Sequence, residues 1–363
     1  MQTRNGLGRA TNTSLIRLSR LLLICLLATG TDTASQRSSL ASEPITHLET
    51  ATDSIAWHHP LYLDWGDYWR VRIPITVSNT SQQDILGQTL AFRVVSPEEA
   101  NTSGDQGPWP ALPIAGRELR EIRVCTENGR ELLWGAVDGQ GRLLGTGVLP
   151  AGAYFVIPIE CRAGSMTRLF VYLDNPKATA VPDHWTKRPF LTNGGMELGS
   201  GEAPLGWAHD PKDADHQAYW TDDHPHSGSK CVTTVVRPGA APSWIATRQI
   251  GIAAIPGARY RLRAWVRAEN VQGNAGWYVH AGNEGNPMMI APVFSAGGGT
   301  YDWKEIQAEF SAPMQATTLS VGTVLWGTGQ AWFDDVSLEV IGQSPWIVKV
   351  GRPEQRFLKE VAA

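Results

Sequence analysis

The chain has 363 residues, enough for about two domains with a full core in each. Charged residues are 18%, the net charge is −4, and there are 37 Gly and 23 Pro, which excludes a coiled coil, a long-helix solenoid, a charge-rich disordered tail and a basic nucleic-acid surface. Trp is the outlier, with 15 residues against 8 Phe and 8 Tyr; indoles fill cores and also serve as flat stacking platforms for sugars.

Residues 1–30 place Arg4, Arg9, Arg17 and Arg20 ahead of the short apolar run from Leu21 to Ala28, with no acid until Asp32. That order predicts a secretory signal peptide, and hence a secreted protein, extracellular or periplasmic. No later stretch is long and apolar enough for a transmembrane segment. Residues 31–56, rich in Ser, Thr and Ala, are expected to be a flexible linker. Beyond the leader stand Cys125, Cys161 and Cys231. Either Cys125 and Cys161 form a disulfide and one thiol is left over, or all three are buried and free.

From 57 to 186 the pattern is that of short strands. Trp69, Val71, Ile73, Ile75 and Val77 alternate with polar residues, and the same grammar returns at Ile122–Val124, Leu132–Trp134, Leu143–Leu144, Tyr154–Ile159 and Leu169–Leu173. Asn128-Gly129 and Asp138-Gly139 between them are hairpin signals. An antiparallel sandwich of unassigned role is expected, loosely resembling the accessory sandwich domains of secreted bacterial sugar-acting proteins.

Strands continue from 187 to 341. In Arg259–Arg267, Tyr260, Leu262, Ala264 and Val266 face one way while the arginines and Trp265 face the other. Ile306, Ala308 and Phe310 alternate next, then Leu319 and Val321, then Trp332 to Val340. Gly297-Gly298-Gly299 is expected to be a turn. The chain is predicted to be all-β, with two consecutive antiparallel β-sandwich domains. A new pattern at 342–363 is either a tail packing back on a sandwich or the stub of a further domain, with a turn of helix near Pro353–Val361.

A family resemblance rests on several segments of the second block taken together. They are Asn193-Gly-Gly-Met-Glu197, Pro204-Leu-Gly-Trp207, His226-Ser-Gly-Ser-Lys230, Gln249-Ile250, Ile255-Pro-Gly-Ala-Arg-Tyr260, Ala264-Trp-Val-Arg267, Tyr301-Asp-Trp303 and Ala331-Trp-Phe-Asp-Asp-Val336. In order and spacing they resemble a CenC-like carbohydrate-binding module, a galactose-binding-like jelly roll. The resemblance implies a structural calcium held by the side chains of Glu197 and Asp335, with carbonyls near Gly195 and Lys230. The alternative is a solvated Asp334–Asp335 pair and a surface Glu197.

The resemblance also implies sugar binding by aromatic stacking. The candidate contacts are Trp277 and Trp326 first, then Tyr278, Trp220, Trp244 and Trp265, with Arg261, Arg263 and Gln330 as polar partners. Trp207, Trp303 and Trp332 are assigned to packing. The arginine stripe either binds an acidic sugar or is a solvated strand face. The run from His209 to His226 holds several His and Asp, the ingredients of a zinc site, but it lacks the helical ligand spacing and is expected to be loop. No nucleophile elbow, phosphate loop or catalytic carboxylate pair is legible.

The expected function is therefore a secreted, non-catalytic polysaccharide- or oligosaccharide-binding protein, with an enzyme or catalytic domain as a partner. One alternative is the non-catalytic front portion of a glycoside hydrolase or polysaccharide lyase. Another is a cell-surface scaffold or adhesion protein.

Overall fold

The computed structural model describes residues 55–58, 69–100, 108–179, 188–210, 213–342, 344 and 346–356. The leader expected at 1–30, nearly all of the linker expected at 31–56, and residues 180–187, where the boundary between blocks is expected, lie outside the described residues.

The first block carries β1 (Val71–Asn79), β2 (Ile85–Val94), β3 (Ala111–Leu112), β4 (Arg123–Thr126), β5 (Glu131–Leu132), β6 (Gly135–Val137), β7 (Tyr154–Cys161) and β8 (Met166–Leu173). They form two sheets in the orders β1-β8-β4-β5 and β3-β2-β7-β6, antiparallel apart from the short β2–β3 pair. Strand β1 runs against β8 from Val71↔Leu173 to Ser78↔Met166. Alternation turns Ile73, Ile75 and Val77 of one sheet and Leu90, Phe92, Phe155 and Ile157 of the other into a common core.

Strand β2 was not among the expected runs. Its alternation is broken by a register shift between Ile85 and Gln88, where Gly87 has a φ of +64°. The Cys125–Cys161 bridge is not formed: among the described residues all three cysteines are buried and free. Cys125 packs outside the β1-β8-β4 sheet, whereas Cys161 faces the main core from β7. Burial pushes the thiols of Cys125 and Cys231 up to about 12, which leaves both unreactive.

The second block carries β9 (Ala208–His209), β10 (His216–Thr221), β11 (Cys231–Val236), β12 (Trp244–Ile245), β13 (Thr247–Ala253), β14 (Arg259–Gly282), β15 (Val293–Ser311) and β16 (Thr318–Val340). Strand β14 pairs with β15 on one side and β16 on the other. The far edge of β16 is taken in turn by β13, β12 and β11. Strand β10, six residues long, occupies part of the His/Asp run expected to be loop.

Three strands as long as β14, β15 and β16 bend through a glycine corner. Gly273, Gly297, Gly299, Gly327 and Gly329 all have left-handed φ there. A Cβ on Gly273 would lie 2.0 Å from the Trp326 carbonyl oxygen, and one on Gly327 the same distance from that of Gln272. Gly297-Gly298-Gly299 is thus a corner inside β15 and not a turn between strands. Past the corner the sheet faces its own first half: Trp277 meets Phe333 edge-on at 5.8 Å, and its Nε1 donates to the Trp265 carbonyl at 3.2 Å. The molecule is all-β, and the second block is a sandwich of jelly-roll type.

The tail returns to the first block. Strands β17 (Trp346–Val350) and β18 (Glu354–Gln355) pair antiparallel with β1, from Asn79↔Trp346 to Ile75↔Val350 and then at Val71–Arg72. Residues 354–355 are therefore strand, not the start of a helical turn. The two sandwiches belong to one compact unit, and a continuous core runs through both.

The outer face of the β1-β8-β4 sheet is covered by the chain itself. Trp69, Cys125, Phe170 and Tyr172 pack there under Ile55 and Trp57. Arg72, 3% exposed, donates to the carbonyls of Ile55 (2.7 Å) and Ala56 (3.1 Å) and to the carboxylate of Glu354 (2.6 Å). Its guanidinium lies over the rings of Trp57 and Phe170.

Candidate functional site

The inward positions of β14 are Tyr260, Leu262, Ala264, Val266 and Ala268 before the corner, and Val271, Ala275, Trp277, Val279 and Ala281 after it. Register irregularities between Ala268 and Ala275 change the parity from even to odd. Trp265 therefore faces out and Trp277 faces in. Trp277, with 0% exposure and edge-on contacts to Trp207 and Phe333, has no face to offer a ligand, which corrects its expected role as a platform.

On the outer face beyond the corner, Trp244 of β12 stands opposite Trp326 of β16 in the strand register. Their rings are 6.5 Å apart and inclined at 48°, and the residues are 38% and 46% exposed. Tyr278 forms the floor beneath them. It meets Trp244 edge-on at 5.7 Å and lies flat where Gly322 has no side chain, since a Cβ there would come within 2.5 Å of the ring. At 2% exposure Tyr278 supports the indoles and is not itself a platform.

Polar groups border the pair. An Arg248 guanidinium nitrogen lies 2.9 Å from Asp210 Oδ1, and Asp210 Oδ2 accepts from the Ala246 amide at 3.0 Å. The His280 ring is 4.4 Å from that of Tyr278. Burial, and then the neighbouring Arg248 charge, lowers the His280 pKa and keeps its imidazole neutral at neutral pH. Burial raises the Tyr278 hydroxyl above its ordinary value. Asn274 of β14 stands opposite Trp326 in the strand register. Two open indoles beside a guanidinium, the Asn274 amide and a neutral imidazole supply an apolar surface for C–H faces and a rim for hydroxyl groups.

The remaining expected contacts lie elsewhere. Trp265 stacks on His226 with 3.9 Å between ring centroids, on the outer face before the corner. Arg261 and Gln330 share that face: Arg261 donates twice to Glu309, and Gln330 Nε2 donates to Thr233. Arg263 stands beside them, exposed on the same strand face. Arg259 also pairs with Glu309, and Arg267 with Asp302, so much of the arginine stripe is already neutralised by acids. Trp220 is half-buried, its Nε1 donating to the Met196 carbonyl at 2.7 Å, and it props the loop at Gly199. Sequence reasoning missed Arg248, Asp210 and His280 as partners of the indole pair. His280 alternates with Tyr278, but that signal counts only once the parity change in β14 is known.

The two side chains expected to hold calcium, Glu197 and Asp335, both lie near Gly195. A Cβ on Gly195 would lie 3.4 Å from Asp335 Oδ1 and 4.0 Å from Glu197 Cγ, while the Glu197 carboxylate itself lies against Gly228. Glu197 accepts from the Ser229 amide and hydroxyl and from the Lys230 amide. Burial alone would raise its pKa, but these donors outweigh burial and hold the carboxyl below its ordinary range. Asp335 accepts from Ser227 Oγ and pairs with His226 Nδ1 at 2.6 Å. Asn193, Met196, His224 and Asp335, none of them glycine, all have left-handed φ around this cluster. Among the described residues no group of three or more His, Cys, Asp or Glu is placed to hold a metal. That holds for the zinc alternative and for a wholly side-chain calcium site alike; Glu197 and Asp335 are two carboxylates of the hard-oxygen type that calcium takes, each already accepting from Ser, His or backbone donors.

No protein-family model matches the chain. No curated protein matches it. Solved structures give partial likenesses. The enzymatically active domain of bacteriophage CBA120 tailspike protein 4 is 16% identical with a TM-score of 0.35, over 42% of this chain and 21% of that one. The CBM22-1 xylan-binding domain from Paenibacillus barcinonensis is 11% identical with a TM-score of 0.33, over 42% of this chain and 94% of its own. A cyclase from Fischerella sp. TAU in complex with an indolyl butanone is 12% identical with a TM-score of 0.33, over 42% of this chain and 96% of its own. This chain thus spans about a fifth of the tailspike domain's length. At such scores, and with three different activities, these likenesses carry no argument about what this chain binds.

Proposed function

We propose that the chain is a non-catalytic polysaccharide-binding protein that holds a glycan chain on the face of Trp244 and Trp326. The observation that carries this is the pair of exposed indoles opposite one another in register, on an otherwise ordered sheet face. Covering the open part of each indole removes about 80 Å² of apolar surface from water, or about 2 kcal/mol per ring. Arg248, His280 and Asn274 then orient sugar hydroxyls without bond cleavage. Export by residues 1–30 and a calcium held between Glu197 and Asp335 belong to the same proposal. Calcium would brace the loops around Gly195 and take no part in chemistry at the indole face.

Retention of the mature chain on a polysaccharide panel (xylan, mixed-linkage glucan, amorphous cellulose, galactan), with a reducing-sugar assay in parallel, tests the proposal. Retention without sugar release is expected. Sugar release would replace it with an enzyme, and no retention would leave the indole face without its ligand. Calcium is expected to raise the melting temperature over a chelated sample, and Glu197→Gln to remove that rise.

A further inference from the structure

We propose that the glycan bound by this protein carries uronic acid groups, and that Arg188 takes a uronate carboxylate in a cleft between the two sandwiches. This rests on the polysaccharide-binding reading of the indole face and extends it.

Two adjoining clefts, about 500 and 420 Å³ in volume, share Arg188 and Gly206 in their walls. The first is also lined by Arg248 and Ile250, and so opens from the border of the indole face. The second brings in Arg142 and Leu143 from the loop after β6 of the first sandwich. Among the described residues the two linings contain three arginines and no Asp or Glu. In a chain of net charge −4, that sets the clefts apart, although two of the three arginines are paired with acids just outside the linings.

The three arginines are not equivalent. Arg142 is paired with Asp138 at 2.6 Å, and Arg248 with Asp210 at 2.9 Å. Arg188 has no acid partner among the described residues; its Nη1 donates to the Gly206 carbonyl at 3.2 Å. Its backbone is fixed by the Ala253 amide, which donates to the Arg188 carbonyl at 2.6 Å. A Cβ on Gly206 would stand 3.3 Å from the same Nη1, so the glycine leaves the guanidinium room. The result is a positioned, half-buried cation with donors to spare. A guanidinium fork in that state matches a carboxylate, through two parallel charge-assisted hydrogen bonds. The acidic-sugar function considered for the Arg259–Arg267 stripe thus fits this cleft better, because most of the stripe is spent on Glu309 and Asp302.

The test compares uronate polysaccharides (glucuronoxylan, polygalacturonate, alginate) with their carboxyl-reduced forms, which differ only in the charged group. Affinity is read by affinity electrophoresis at low and high salt. The wild type is expected to bind at least one acidic form about tenfold more tightly than its reduced form, with the gap closing at high salt. Arg188→Gln is expected to abolish the gap and leave binding of the reduced form unchanged. Arg188→Lys should keep part of it, and melting temperatures of both variants check that the fold is intact. Equal wild-type affinity for acidic and reduced forms would overturn the inference while the indole face stood. Failure to bind any form, acidic or reduced, would overturn the indole-face reading and this inference with it.

Discussion

Both sandwiches carry aromatic side chains on an outer sheet face, and they treat them in opposite ways. On the first, Trp69, Phe170 and Tyr172 lie under Ile55 and Trp57, and Arg72 clamps the chain before β1 to Glu354 of β18. On the second, Trp244 and Trp326 stand open with a third or more of each residue accessible, although Tyr278 and Gly322 beneath them are packed tightly. Single exposed aromatics are ordinary; an adjacent pair on a rigid floor is not. The surplus of Trp therefore divides by what covers it. Where the molecule supplies its own cover the indoles are architecture, and where it does not they are a surface for something else.

That division is sharpest at two tryptophans of the second sandwich. Trp277→Ala empties a fully enclosed indole site between Trp207 and Phe333, and should cost about 3–5 kcal/mol in urea unfolding. The double variant Trp244→Ala/Trp326→Ala should leave unfolding within about 1 kcal/mol of wild type, yet weaken glycan binding about 100-fold. A large stability loss in the double variant would mean that the open pair is core after all.

The covered face has its own test. Arg72→Ala removes bonds to Ile55, Ala56 and Glu354 at once. A loss of about 2 kcal/mol is expected, with increased acrylamide quenching as Trp57 and Trp69 lose their cover. Unchanged quenching would show that the clamp is not what holds the cover in place.

The smallest effect is a pH dependence at the edge of the open sandwich. The hydrogen bond that His216 Nδ1 donates to the Asp213 carboxylate raises the pKa of the buried His216 above its ordinary 6.5, and Asp215 adds to the rise. The stability this pair supplies is fully present below about pH 6.5 and is lost as the pH rises through the folded pKa. Wild-type melting temperature should therefore fall relative to His216→Gln between pH 6 and pH 8. Parallel curves would remove the pair from the account.

How far the sequence revealed these faces depended on local regularity. Trp326 alternates with Leu319, Val321 and Leu325 along an undisturbed half of β16, so its outward placement was legible. Trp277 was misplaced because β14 changes parity through irregular register near Asn270 and Gly273, and such a shift has no simple signature in residue type. Strand β2 escaped for the same reason at Gly87. The pairing of β17 with β1, and the meeting of Arg142, Arg188 and Arg248, join residues far apart in the chain. One-dimensional patterns do not carry such juxtapositions. Of the two carboxylates that the family resemblance singled out, Asp335 lies beside Gly195 and Glu197 turns its carboxylate to Gly228 and Ser229.

The most direct measurement is an indole N–H spectrum of the labelled mature protein, titrated with an oligosaccharide of the glycan it retains, each signal assigned by substitution. The account predicts that the signals of Trp244 and Trp326 move together along one saturating curve, while those of Trp57, Trp69 and Trp277 stay fixed. Saturable shifts at Trp57 and Trp69 with Trp244 and Trp326 unmoved would place the ligand on the other sandwich, and contradict it.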